Sequence, residues 1–338
     1  DTLSSLLLVF VIFAYSAAER NGIVISRKLD GIARRAWALF GVALCAAGVL
    51  GYVVIMQPVR ANAAAHRGWE LLRTGGGDEA AIAAFEKSIS YGTRYSVDAR
   101  RFAAEYLFEF LKQGGRRPDE SLRRLTEYAI AKMDENIAAE PYNVKWVLYR
   151  GELYNVMAAK FGDPSFLKRA EEDFLRFRDM SPGRLRTYLG LAEVRKARGE
   201  IPAAWDAINY VTDTVPGFLF GHTSAAVLAV ETDDRLREEK EIAWLTEHGG
   251  YGDDALRDAY VRKKRYADAA RVQKEIVRGR DADPVSYAPA YRAISYARLA
   301  ALYQLAGEIE KARETASMVA RLDPAKKAEV EAFLQTLP

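Results

Sequence analysis

The stretch "YARLAALYQLAGEIEKARETASMVARLDP", residues 296–324, gives the clearest indication of how this chain folds. Ala300 and Ala312 lie on either side of Gly307. Their small side chains would let the backbones of two crossing helices come close together. Gly307 permits a tight turn, and Pro324 prevents the second helix from continuing. The spacing therefore predicts two antiparallel helices joined at Gly307.

The same scheme recurs along the chain. Three pairs of residues lie 34 positions apart in matching roles, namely Pro182 and Pro216, Ala170 and Ala204, and Phe174 and Ile208. Two further copies are "GGGDEAAIAAFEKSISYG", with Ala81 and Phe85, and "KRYADAARVQKEIVRGRDADP", with Tyr266, Ala269 and Pro284. A more divergent unit ends at Pro141. We count about six units between residues 61 and 338.

The period and the small, aromatic, turn and stop positions resemble a tetratricopeptide (TPR) repeat. One helix pair cannot bury its apolar face alone, so the pairs must stack. We therefore expect an all-α fold in which residues 60–338 form a right-handed TPR-type solenoid of about six helix pairs. No alternating apolar pattern with turn signals favours β-strands.

A long apolar stretch precedes the repeats. From Ala36 to Val59 there is no charged residue in 24 positions. As one helix this stretch would extend about 36 Å, enough to cross a bilayer core of about 30 Å. Trp37 and Tyr52 stand toward its ends, and Pro58 is expected to end it. The pattern predicts a transmembrane helix over residues 36–59.

Residues 2–18 form a second uncharged run. A signal peptide with "SAA" as its cleavage site is one interpretation, but no basic region precedes the run. We favour a transmembrane helix that is cut at its start. Because the chain begins at Asp1 rather than Met, we expect it to be the C-terminal part of a longer protein. Residues 1–59 would then form a membrane region.

The linker between the two predicted spans, residues 19–35, carries five basic residues, whereas three follow Val59 closely. By the positive-inside rule the linker is expected to be cytoplasmic and the solenoid extracytoplasmic. Small residues at Ala43, Ala47 and Gly51 form a ridge that would let neighbouring transmembrane helices approach. The lipid bilayer and such helices are therefore expected partners, although small residues are common in any span.

Composition excludes several function classes. The net charge of +3 without a basic run argues against nucleic acid as a partner. Cys45 is the single cysteine, so no disulfide framework or thiolate metal site is expected. His66, His222 and His248 fit no metal-binding pattern and are expected at the surface or in packing. No catalytic residue, metal site or cofactor is predicted.

The concave side of a TPR array commonly binds peptides, and its first helices line that groove. By this analogy, four residues are expected to face a protein or peptide partner: Asn155, Arg186, Glu193 and Lys196. The alternative for each is a solvated helix face.

Two further stretches bear on family. "MQPVRANAAAHRGWELL" follows the apolar stretch, and "AAFEKSISYGTRYSVDARRFAAEYL" contains Ser90 to Thr93 with Arg100 and Arg101. In this order they resemble the C-terminal region of O-antigen ligase-like proteins and O-antigen polymerases of bacteria. The resemblance implies a polytopic inner-membrane enzyme that transfers glycans from a polyprenyl diphosphate carrier without metal or nucleotide. The family's functional Arg and His residues lie before this region, so none can be assigned here.

Two functions remain open. In the first, the chain is the tail of such a glycan ligase or polymerase, and its solenoid recruits an acceptor or a partner protein. In the second, it is a stand-alone membrane-anchored TPR scaffold without enzymatic activity. The start at Asp1 and the ridge of small residues favour the first.

Overall fold

The computed structural model describes residues 31–92, 100, 103, 105, 107, 110 and 119–338; for 31–39, 53 and 54 it describes the backbone alone. Fifteen α-helices have defined bounds within these residues, and no β-strand is present among them. The chain divides between Glu140 and Pro141 into two compact units. Each unit is described by itself.

The first unit contains four of these helices. They are α1 (Gly31–Gly51), α2 (Gln57–Thr74), α3 (Asp78–Ser90) and α4 (Asp119–Ala139), with a π-helical turn at Tyr52–Met56 between α1 and α2. Helices α2 and α3 form a hairpin closed by Gly75 to Gly77, and the Ser88 hydroxyl donates to the Ala61 carbonyl across it at 2.7 Å. Lys132 of α4 pairs with Glu86 of α3 at 3.0 Å.

The predicted transmembrane helix over residues 36–59 is wrong. Its residues belong to three elements, because α1 ends at Gly51, the π-helical turn follows, and α2 begins at Gln57. Pro58 does not end a helix; it lies in the first turn of α2, where the missing amide proton is tolerated. Among the described residues, no helix combines the length and the apolar character that a membrane crossing requires.

The first predicted span, the linker and the ridge of small residues were the other parts of the membrane prediction. The predicted span over residues 2–18 and most of the linker 19–35 lie outside the described residues. The small-residue ridge of Ala43, Ala47 and Gly51 lies on α1, whose side chains from Phe40 to Leu50 are exposed. The domain boundary after residue 59 stays a prediction.

The second unit contains five helix pairs and a terminal helix. The pairs are α5 (Val144–Phe161) with α6 (Pro164–Met180), α7 (Leu185–Ala197) with α8 (Ile201–Thr214), α9 (Leu219–Glu231) with α10 (Arg235–Glu247), α11 (Asp254–Arg262) with α12 (Tyr266–Ala282), and α13 (Pro289–Leu305) with α14 (Ile309–Leu322). A 3-10 turn (Pro324–Lys326) leads into α15 (Lys327–Gln335). The two members of each pair pack against each other.

The turn inside four of these pairs has one geometry. Gly199 and Gly307 have φ values of 79° and 80°, and Asp233 and Lys264 hold the same place at 59° and 57°. In each case the following amide donates back to the carbonyl five residues earlier, as Glu308 does to Tyr303 at 2.8 Å. This left-handed helix ending stops the first helix and reverses the chain.

The predicted packing positions are confirmed. Ala170, Ala204 and Ala312 have no exposed surface, and the Phe85 and Phe174 side chains are 1% exposed. One apolar cluster takes Leu189 from α7, Ile208 from α8 and Leu228 from α9, so a pair completes its core with the next pair. The described part of the chain is therefore the all-α, TPR-like repeat fold that the spacing predicts.

Candidate functional site

The four predicted groove residues lie on first helices of pairs. Asn155 is half-buried on α5, one helical turn after Glu152. Arg186, Glu193 and Lys196 lie on α7, and their side chains are 58%, 46% and 21% exposed. Their part in partner binding stays a prediction, but the structure shows what they contact.

Three of them, Arg186, Glu193 and Lys196, belong to a ladder of ion pairs that joins consecutive first helices. Arg186 donates through Nε and Nη2 to the Glu152 carboxylate at 2.7 and 2.9 Å, linking α7 to α5. Lys196 Nζ lies 2.7 Å from both Glu193 and Glu231, which links α7 to α9. The ladder therefore fixes the spacing of neighbouring pairs from the side of their first helices.

Glu231 is the centre of this ladder, since Arg262 of α11 also donates to it through Nε at 2.9 Å. Burial alone would raise the pKa of Glu231, but the charges of Lys196 and Arg262 outweigh burial and hold that pKa below its ordinary value. Burial likewise opposes the charge of Lys196, yet Glu193 and Glu231 raise its pKa. Both groups are therefore charged at neutral pH.

The register of the turns connects this surface with the C-terminal end of the unit. Arg186 and Ile294 each lie thirteen residues before a turn glycine, Gly199 or Gly307. Glu193 and Ala301 each lie six residues before it. In α13, therefore, the apolar Ile294 and Ala301 occupy the positions of Arg186 and Glu193, and Gln304 occupies the position of Lys196.

An open apolar groove is present at this end, between α13, α14 and α15. It encloses about 440 Å³. Its apolar wall and floor consist of Ile294, Ala297, Ala300, Ala301, Ala316, Val319, Val330 and Phe333, and its polar members are Arg298, Lys326 and Glu329. Ala300 and Val319 are buried at the floor, whereas the Ile294 side chain is 41% exposed.

The charged groups beside the groove are unevenly paired. Asp254 of α11 contacts Arg257 closely, Arg280 at 3.5 Å and Arg298 at 3.9 Å. Arg298 is therefore the most distant of three guanidinium groups that share one carboxylate, and it is 54% exposed. On the other wall, Lys326 pairs with Glu329 at 3.2 Å. The site thus offers apolar contact with an accessible cation at its edge.

Sequence reasoning missed this groove. A signal was available in the register, because Ile294 and Ala301 hold the positions of Arg186 and Glu193 and lie at helical spacing with Ala297. The sequence pattern did not indicate that α15 would form the other wall. Val330 and Phe333 are far from α13 in sequence, and packing alone brings them opposite it.

Two of the histidines come together on one tryptophan. The rings of His222 and His248 stack on Trp244, with centroids 3.6 and 4.0 Å away. His222 also lies 2.7 Å from Glu241 through Nδ1 and 2.9 Å from the Pro216 carbonyl through Nε2. Within the described ranges, no cluster of three His, Cys, Asp or Glu side chains could hold a metal ion.

No protein-family model matches the sequence, and no curated protein matches it. Among solved structures, the crystal structure of yeast Tom70 is similar, with a TM-score of 0.52 and 14% identity over 82% of this chain. The chain spans about half of that structure, covering 54% of it. A circular tandem repeat protein with a novel repeat topology and enhanced subunit contact surfaces is also 14% identical over 99% of this chain and 95% of its own, at a TM-score of 0.28.

The likeness to Tom70 shows the fold, a TPR-like helical repeat. The resemblance to O-antigen ligase-like proteins is wrong, because no family model supports it and the apolar stretch on which it depended is divided among three elements. The predicted inner-membrane localisation, with an extracytoplasmic solenoid, is wrong, because no helix among the described residues is long and apolar enough to cross a membrane. The lipid bilayer and neighbouring transmembrane helices are withdrawn as partners with it.

Proposed function

We propose that this chain is a protein-interaction module whose second unit binds a segment of a partner protein. The binding surface is the face formed by the first helices, α5, α7, α9, α11 and α13. It includes Asn155, Arg186, Glu193 and Lys196 at one end. At the other end it includes the groove between α13 and α15. No catalytic step belongs to this proposal.

The observation that carries the proposal is the open apolar groove at the register of the predicted binding residues. Ile294 is 41% exposed there, although the floor beneath it is buried. A cavity of about 440 Å³ with an apolar lining and a few polar groups has the character of a binding site.

The ion-pair ladder supports the same function. Glu152, Lys196 and Glu231 hold neighbouring first helices at fixed distances through contacts of 2.7 Å. A surface that is already ordered loses less conformational entropy when a partner binds. The face is therefore preorganised for recognition rather than assembled by it.

Site-specific photo-crosslinking in the cell tests this proposal. A photoreactive amino acid would replace Asn155, Arg186 or Ile294 on first helices and, as matched controls, the exposed Lys240 or Lys274 on second helices. We expect one shared partner protein to crosslink from the first-helix positions. That partner should then bind the purified chain with a measurable Kd. Equal crosslinking from both sets, or crosslinking from the controls alone, would overturn the proposal.

A further inference from the structure

We infer that the groove between α13 and α15 takes an amphipathic α-helical segment of the partner, with apolar side chains one turn apart and a carboxylate beside them. This inference rests on the proposed function and names the chemistry of the segment. It concerns a defined part of the binding face, lined by Ile294, Ala297 and Ala301 on one wall and by Val330 and Phe333 on the other.

The shape of the groove favours a helical occupant. Ile294, Ala297 and Ala301 follow one face of α13 over seven residues, which is about 10 Å of helix. The two alanines leave a hollow between Ile294 and Phe333. Side chains three or four residues apart on a helix lie about 5–6 Å from each other, so three of them, at i, i+4 and i+7, span this length. An extended segment would turn every second side chain away from the groove.

The surroundings favour apolar side chains in the hollow. The floor consists of Ala300, Ala316 and Val319, which are 2–3% exposed. At the N-terminal end of the same helix face, Tyr291 is 64% exposed and extends the apolar surface. Covering these side chains would remove apolar area from water, which favours association.

The charge at the edge favours an acidic residue in the partner. Arg298 lies one turn after Ile294, and it contacts the Asp254 carboxylate at 3.9 Å. That carboxylate is already shared with Arg257 and Arg280. A partner carboxylate would therefore meet a guanidinium group with surplus positive charge, whereas a lysine there would be repelled.

Fluorescence anisotropy with the purified full chain tests this inference. The probe is a labelled, designed helical peptide with leucines at i, i+4 and i+7 and a glutamate beside the first leucine. A second peptide carries lysine in place of the glutamate. We expect the glutamate peptide to bind the wild-type chain more tightly than the lysine peptide.

Three variants locate the binding. Ala297→Trp fills the hollow from an exposed helix position and should weaken binding by more than about tenfold. Arg298→Glu should weaken the binding of the glutamate peptide by about fivefold and strengthen the binding of the lysine peptide. A misfolded variant could not bind the lysine peptide more tightly. Lys274→Glu, on α12, reverses an exposed charge elsewhere and should bind like the wild type.

Other outcomes overturn the inference. It fails if the glutamate peptide does not bind, if both peptides bind the wild type equally, or if Ala297→Trp leaves binding unchanged. It also fails if the chain self-associates in sedimentation and Ala297→Trp abolishes that, since the groove would then take a second copy. Crosslinking from Asn155 and Arg186 to a partner separates these failures from failure of the proposed function, because it does not depend on the groove.

Discussion

A Cβ atom on Gly190 would lie 2.6 Å from Cε1 of the Phe174 ring. The same ring lies 3.2 Å from the place of a Cβ on Gly151, so Phe174 of α6 is wedged between first helices α5 and α7. The two glycines make room for the large Phe174 side chain, which joins neighbouring pairs. This contact sets how closely the pairs stack.

Gly190→Ala should therefore destabilise the second unit by about 1–2 kcal/mol. Alanine is about 1 kcal/mol better than glycine in a helix, but overpacking against a fully buried ring costs more than that gain. Urea denaturation followed by circular dichroism measures the change. Gly183→Ala is the control, because nothing lies within 4 Å of a Cβ at that position. If the two variants unfold at the same urea concentration, the wedge does not limit the stacking.

Lys264→Gly should stabilise the chain by about 1 kcal/mol. Lys264 has a φ of 57°, a left-handed conformation that costs a residue with a Cβ about 1–2 kcal/mol. Gly307, at φ 80° in the equivalent turn, avoids that cost, so Gly307→Ala should destabilise by about 1 kcal/mol. Thermal unfolding of both variants tests the pair of expectations. Lys264→Ala controls for loss of the charge and should leave the stability near that of the wild type.

Lys196→Met should cost more stability than Arg186→Met. Lys196 is 21% exposed and bridges Glu193 and Glu231, and hydrogen bonds to charged groups contribute about 1.5–3 kcal/mol. Arg186 is 58% exposed, and exposed ion pairs contribute less than about 1 kcal/mol. Urea denaturation at low and high salt measures the free energy of unfolding of both variants. Salt should reduce the contribution of the exposed Arg186 pair further. Equal losses would contradict a special role for Glu231 in joining the first helices.

Acid should weaken the second unit through Glu238. This buried carboxylate accepts two hydrogen bonds of 2.7 Å from Arg265 and one of 3.0 Å from the Tyr260 hydroxyl. Burial alone would raise the pKa of Glu238, but these donors outweigh burial and lower it. Because the pKa is lower in the folded chain than in the unfolded one, the stabilisation is present above about pH 4.3 and is lost as the pH falls through the folded pKa.

Urea denaturation between pH 7 and pH 3 measures this loss in the wild type and in Glu238→Gln. The variant should be about 1–2 kcal/mol less stable at pH 7, because Arg265 loses the charge of one buried partner and keeps Asp268 at 2.6 Å. Its stability should also depend less on pH in the acid range. Glu239→Gln, at an exposed neighbouring position, should retain the wild-type pH dependence. If the stability of Glu238→Gln falls with decreasing pH as steeply as that of the wild type, Glu238 is not the source of the acid sensitivity.

Prediction from sequence failed where helix continuity mattered. The apolar composition of residues 36–59 does not indicate where the backbone changes its hydrogen-bonding pattern, which it does at Tyr52–Met56. A proline disrupts a helix from inside but is tolerated in the first turn, where Pro58 lies. The local sequence did not show which of these positions Pro58 would take. The same composition therefore fits one long helix or two helices joined by a π-helical turn.

The helix pairs could be predicted from local sequence, because turn glycines, small crossing residues and terminal prolines act over a few residues. It also placed Arg186, Glu193 and Lys196 on first helices. The pairing of these charges across neighbouring helices, and the open groove that Ile294 and Phe333 line together, became visible only in the folded chain. Such contacts depend on how separate helices pack, and residues distant in the chain meet only when the stack has formed.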